Sequence, residues 1–142
     1  SHCFSPVAKV LRVEIILGTN TVDSARAPAL DSVRQIGKTP IVVKDSRGFF
    51  ANRCVLRFTA EGLEMVMEGV PPAMIENTAR MAGMPVGPLS LADEVALDLV
   101  LKIMKATEAD LGANAIDQAQ KKLLIEMVEK QGRFGRKHGQ GF

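Results

Sequence analysis

His2, Glu14 and Asn52 are the residues whose types could do chemistry together, with Ser5 close to the first of them. They stand in the runs Ser1-His2-Cys3-Phe4-Ser5-Pro6-Val7, Leu11-Arg12-Val13-Glu14-Ile15-Ile16 and Gly48-Phe49-Phe50-Ala51-Asn52-Arg53. Imidazole suits proton transfer at neutral pH because its unperturbed pKa is about 6.5. A glutamate in an apolar, strand-like run is costly to bury unless it is paired. Paired with a histidine, it fixes the imidazole in one tautomer and stabilises the imidazolium that forms when a proton is taken. Asn52, just after a glycine at the start of a helical pattern, offers a neutral hydrogen-bonding amide. Each residue also has a plainer reading: His2 as a cloning remnant, Glu14 as a solvent-facing strand residue, Asn52 as a local cap, Ser5 as an ordinary turn serine. Residue types alone leave these alternatives open.

The three runs resemble the signatures of the 3-hydroxyacyl-CoA dehydrogenase family, which read His-aromatic-Phe-Asn/Ser-Pro, Val-Glu-Ile-Ile and Pro-Gly-Phe-x-x-Asn-Arg. The gaps agree too, with twelve residues from His2 to Glu14 and fifty from His2 to Asn52. The resemblance implies that His2 is the general base for a secondary alcohol and that Glu14 orients it. It implies further that Asn52 contacts the substrate near the C3 oxygen or the thioester carbonyl, and that Ser5 approaches the nicotinamide cofactor. The implied reaction is oxidation of an L-3-hydroxyacyl-CoA to the 3-ketoacyl-CoA with NAD, in fatty-acid β-oxidation. Gly83-Met84-Pro85-Val86-Gly87-Pro88, Asp93 to Asp98 and Gly135 to Phe142 resemble further family segments, and the first reads as a tight interhelical connection. Cys3 and Arg47 depart from the pattern, replacing an aromatic residue and a proline, and neither removes a catalytic group. Phe4-Ser5-Pro6-Val7 looks more like the multifunctional fatty-acid oxidation α-chains than the short monofunctional enzymes. That likeness implies an acyl-CoA substrate, a second copy or a thiolase-type subunit as partner, and a cytoplasmic location in a bacterium, with a mitochondrial or peroxisomal one left open.

The elements that must position these residues fall into two parts. Val10 to Leu17 and Ile41 to Val43 read as buried strands of an α/β remnant, the last strands and helix of a Rossmann-type NAD domain. Between them Asp23 or Thr21 can cap a helix ending before Gly37, and Pro28 predicts that this helix starts late. An all-helical bundle follows: a long helix from Phe49 to about Glu68, a short one from Pro72 to Ala82, a third capped by Ser90 and carrying Leu91, Val95, Leu99, Ile103 and Met104, and a fourth from Asp117 to Gln131. The domains expected are 1–45 and 46–142. No Gly-x-Gly-x-x-Gly follows a strand, so the main NAD-binding site is expected upstream, with Ser1 in mid-site and the fragment inactive alone.

Composition sets outer bounds. With 46% hydrophobic and 24% charged residues the chain reads as an ordinary globular domain, and no apolar stretch approaches a membrane span. Cys3 and Cys54 form no Cys-x-x-Cys pair, which argues against zinc and against a disulfide scaffold. Residues 121–142 hold six Lys or Arg against two Glu, a local +4. That surplus supports a rival reading, a non-catalytic helical dimerisation or nucleic-acid-binding module. The rival does not account for His2, Glu14 and Asn52 falling at family spacings, and base-stacking aromatics are scarce, with no Trp or Tyr. No nucleic-acid partner is expected.

Overall fold

The computed structural model describes all residues from Ser1 to Phe142. It contains a three-stranded sheet and six α-helices, and divides into two compact units, Ser1–Val55 and Leu56–Phe142.

In the first unit the sheet order is β1 (His2–Cys3), β2 (Arg12–Leu17), β3 (Thr39–Lys44). The β-branched Val13, Ile15 and Ile16 suit the central strand, whose neighbours pair on both sides: β1 antiparallel, with His2 opposite Glu14, and β3 parallel, with Glu14 opposite Ile41. A parallel pair needs a crossover, and α1 (Asp23–Gln35) supplies it. Ala29, Leu30 and Val33 of α1 pack with Val13, Ile15 and Leu17 of β2. Side chains alternate across a strand, so Glu14 faces away from this cluster.

Two expectations for α1 are corrected. It starts at Asp23 and runs through Pro28, with Val22 as the N-cap and no side-chain cap. Thr21 is used elsewhere, its Oγ1 accepting from Gly18 N–H at 2.9 Å. Proline removes one backbone hydrogen bond, but Ala29, Leu30 and Val33 immediately beyond it are anchored on β2, so packing carries the helix across the defect. The C-terminal end follows the local signal: Gly37 has φ 72°, Gly37 N–H donates to Arg34 O and Lys38 N–H to Val33 O.

Helix α2 (Ala51–Met67) leads into the second unit, which adds α3 (Pro72–Met81), α4 (Pro88–Val95), α5 (Leu97–Leu111) and α6 (Gln118–Ile125). A π-helical turn, Glu126–Lys130, extends α6. Leu63, Ile75, Leu89, Ala92, Leu97, Leu101, Leu124, Met127 and Val128 form the core. The predicted third helix is two helices, broken at Ala96, where φ is 81° and Leu97 N–H donates to Phe134 O. Ser90 is no cap: α4 begins at Pro88 after the N-cap Gly87, and Ser90 donates through N–H and Oγ to Glu76. Asp117 does cap α6, accepting from Gln120 N–H at 2.9 Å.

Candidate active site

Residues directly opposite each other in an antiparallel pair project from the same face, so the β1–β2 register brings His2 and Glu14 together. His2 Nδ1 lies 2.7 Å from Glu14 Oε2. The Glu14 side chain is wholly inaccessible, whereas that of His2 keeps 29% of its surface exposed. Glu14 Oε1 accepts two further hydrogen bonds, from Phe50 N–H at 3.0 Å and Ala51 N–H at 2.9 Å. These N–H groups belong to the start of α2, which has no intrahelical partners for them and carries the positive end of the helix dipole. Glu14 therefore caps a helix that begins 37 residues downstream of it.

The turn before α2 aims those donors. Gly48 (φ 77°) and Phe49 (φ 49°) both adopt positive φ, and Phe49 N–H donates to Ser46 O at 2.8 Å. Such a φ disfavours a bulky side chain. At Phe49 the ring rests on His2, with centroids 5.5 Å apart, and Phe4 meets the same imidazole edge-on at 4.8 Å. His2 is thus fixed by one carboxylate and two aromatic rings.

Burial pushes the Glu14 carboxyl up, but the His2 hydrogen bond, the Ala51 and Phe50 N–H groups and the nearby imidazole charge outweigh it and hold the group below its ordinary value. An ionised carboxylate only accepts, so His2 Nδ1 carries the hydrogen, and in the neutral imidazole the lone pair is then on Nε2. The arrangement can take a proton at Nε2 and stabilise the resulting imidazolium across the 2.7 Å contact.

Of the other residues singled out in the sequence, Asn52 is the second residue of α2, with an exposed side chain, and Ser5 is exposed in the turn after β1. Neither is hydrogen-bonded to His2 or Glu14. The sequence reading missed Phe4 and Phe49 as walls of the imidazole, and the Phe50 and Ala51 N–H groups as partners of Glu14. Gly48 at a helix start was the only local hint, and it does not say which acceptor the helix finds.

Three of the six cations of the basic C-terminal stretch are in ion pairs. Lys121 pairs with Glu108, Lys130 with Glu126 and Arg136 with Glu94. His138 lies against the Phe134 ring at 4.9 Å. No helix is long and apolar enough to cross a membrane.

Residues 48–142 match the family model of the 3-hydroxyacyl-CoA dehydrogenase C-terminal domain, and residues 1–46 that of the 3-hydroxyacyl-CoA dehydrogenase NAD binding domain. The fatty acid oxidation complex subunit alpha of Vibrio cholerae is 38% identical over 141 residues, covering 99% of this chain and 19% of the relative. Among solved structures, (S)-3-hydroxybutyryl-CoA dehydrogenase from Ralstonia eutropha matches with a TM-score of 0.84 and 35% identity, over 99% of this chain and 49% of that one. 3-Hydroxybutyryl-CoA dehydrogenase from Escherichia coli matches with a TM-score of 0.82 and 26% identity, over 99% of this chain and 30% of that one. The chain therefore spans about a fifth of the V. cholerae subunit and about half of the R. eutropha structure.

Proposed function

Because the chain belongs to the 3-hydroxyacyl-CoA dehydrogenase family, we propose that it supplies the proton-transfer site of an enzyme that oxidises an L-3-hydroxyacyl-CoA to the 3-ketoacyl-CoA with NAD in fatty-acid β-oxidation. The observation that carries the reading is His2 Nδ1 held at 2.7 Å by a fully buried carboxylate, with both carboxylate oxygens occupied. His2 Nε2 takes the proton of the C3 hydroxyl as the C3 hydride departs. Glu14 keeps the imidazole in the competent tautomer and stabilises its cation. Asn52, on the turn of α2 that Glu14 caps, orients the substrate through its C3 oxygen or thioester carbonyl.

NAD, when bound, accepts the hydride. The residues present fit only its reacting end, where Ser5 is assigned to the nicotinamide side. They form no cradle for the pyrophosphate, because the strand-to-helix turn after β2 uses its own donors, Gly18 N–H to Thr21 Oγ1 and Thr21 N–H to Gly18 O.

We assign residues 1–45 to the last strands and helix of a Rossmann-type NAD domain and 46–142 to the helical bundle domain. The change of family model between residues 46 and 48 supports this division. The likeness to subunit alpha of Vibrio supports the multifunctional type, with a second copy or a thiolase-type subunit as partner and the bacterial cytoplasm as location.

The test is kinetic, in this chain joined to the part of the R. eutropha enzyme that it does not match. His2→Ala and Glu14→Gln should each lower kcat ~10²-fold or more with NAD binding nearly unchanged. Turnover by His2→Ala within threefold of the parent would overturn the assignment.

A further inference from the structure

We propose that Lys38 is a positioning residue for the proton-transfer site, acting by clamping the loop that runs from His2 back to β2; the proposal rests on the reading of His2 given above. β1 ends at Cys3, where its pairing with β2 stops opposite Val13. Residues 5–10 that follow leave the sheet and are mostly exposed. Their internal order is one turn, in which Lys9 N–H and Val10 N–H both donate to Pro6 O, at 2.9 and 3.1 Å. The loop is tied to the rest of the unit by Lys38 Nζ, which donates to Val7 O at 2.5 Å and to Val10 O at 2.6 Å.

The ammonium itself has a firm base. Lys38 N–H donates to Val33 O at the end of α1, and the next residue, Thr39, starts β3 and donates through N–H to Leu11 O at 2.7 Å. Lys38 thus joins the end of α1, through its backbone, to the loop, through its side chain, directly before β3. Charge-assisted bonds to two carbonyls are stronger than neutral ones and cannot be replaced by an apolar side chain of the same length. The loop begins at Ser5, and the residue before it, Phe4, has its ring on His2 at 4.8 Å. Freeing the loop therefore loosens the Phe4 wall and the Ser5 hydroxyl together, while Glu14 and its contacts to α2 are untouched.

Lys38→Met keeps length and apolar bulk and removes the donors; Lys38→Arg restores them. Hydrogen exchange of the 142-residue chain should show the amides of residues 7–10 opening ~10-fold faster or more in Lys38→Met, with the amides of α3 to α6 unchanged and the Arg variant close to the parent. The His2 Nδ1 proton resonance should broaden or exchange faster in the Met variant and recover in the Arg variant. In the chain joined to the unmatched part of the R. eutropha enzyme, Lys38→Met should lower kcat ~10-fold with the acyl-CoA KM within twofold. Unchanged loop exchange, or a faster loop with an unaltered His2 resonance, overturns the proposal even if His2→Ala is inactive. A fully active His2→Ala instead overturns the reading of His2, while the loop exchange still reports whether Lys38 clamps residues 7–10.

Discussion

Replacing Glu14 by alanine removes the acceptor of three hydrogen bonds at once, from His2 Nδ1 and from the N–H groups of Phe50 and Ala51. Unmade buried bonds cost about 1–3 kcal/mol each and a lost helix cap about 1, with water recovering part, so Glu14→Ala should destabilise by roughly 2–4 kcal/mol. Glu14→Gln keeps a carbonyl oxygen and the shape, and should cost about half as much. Urea unfolding measures both, and equal stability of the two variants would mean that capping α2 contributes nothing. The sign of the pH dependence follows from the same carboxylate. Glu14 and Glu76 both lie below the ordinary 4.5: burial pushes each up, but the hydrogen bonds to His2, Ala51 and Phe50 in one case, and to Ser90 and Leu89 in the other, prevail. The unfolded chain then binds protons first, so their stabilisation is complete above 4.5 and is lost as pH falls through the folded values. Asp93 works the other way, since burial raises it above 3.8 despite the Phe142 N–H bond and Arg133, and it offsets part of the loss. Urea midpoints between about pH 5 and pH 3 should fall in the parent and fall less steeply in Glu14→Gln.

Among elements, α2 and α4 approach closely at Gly62. A Cβ on Gly62 would sit 2.6 Å from Pro88 Cβ and Cγ, so the two helices cannot cross as they do with any larger residue there. Gly62→Ala gains about 1 kcal/mol of helix propensity and loses about 1–3 to overpacking, so a net loss should appear in thermal unfolding. Ala96 is the opposite case. Its φ of 81° strains an L-residue, and Ala96→Gly should be neutral or stabilising by up to about 1 kcal/mol, where glycine inside a continuous helix would destabilise by a similar amount. The Gly62 helix and the α4 helix also share a capping device. Glu76 receives Leu89 N–H, Ser90 N–H and Ser90 Oγ at the start of α4, as Glu14 receives the start of α2. Both caps come from distant residues, whereas Asp117 caps α6 from within its own turn.

For the whole molecule, the absence of any phosphate-cradling turn predicts that the 142 residues alone show no NAD-dependent oxidation of 3-hydroxybutyryl-CoA, and that the joined form does. Turnover by the isolated chain would mean that NAD is held by residues outside the expected motif. Self-association is the second expectation. The sequence offers Met81, Met84, Leu89, Leu91, Val100 and Met104 as apolar positions beyond what a helical core of this length needs. Leu89 is core at 1% exposure, and Val100 and Met104 pack against that core. Met81 at 88% and Met84 at 40%, with Met74 at 59%, remain on the surface of the second unit. A stable dimer through such a surface would bury on the order of 1,600 Å² in total. Sedimentation at micromolar concentration should show a dimer that Met81→Glu weakens; a 15.3 kDa monomer refutes it.

The sequence by itself determined the order of strands and helices apart from the break between α4 and α5, because apolar periodicity, Gly37 and Pro72 are local signals read within one turn. It also singled out His2, Glu14 and Asn52 as candidates, because their spacing matched a known pattern. It misread the start of α1, the cap of α4 and the continuity of the third helix, since packing onto β2, the Glu76 carboxylate and the Phe134 carbonyl decide those, and all three lie far along the chain. Tertiary structure alone decided that Glu14 is buried, that its second oxygen caps α2, that Phe4 and Phe49 wall the imidazole and that Lys38 holds the loop between β1 and β2. A hydrogen bond needs its partners only to be close in space, and nothing in the local pattern of either partner records which distant group it meets.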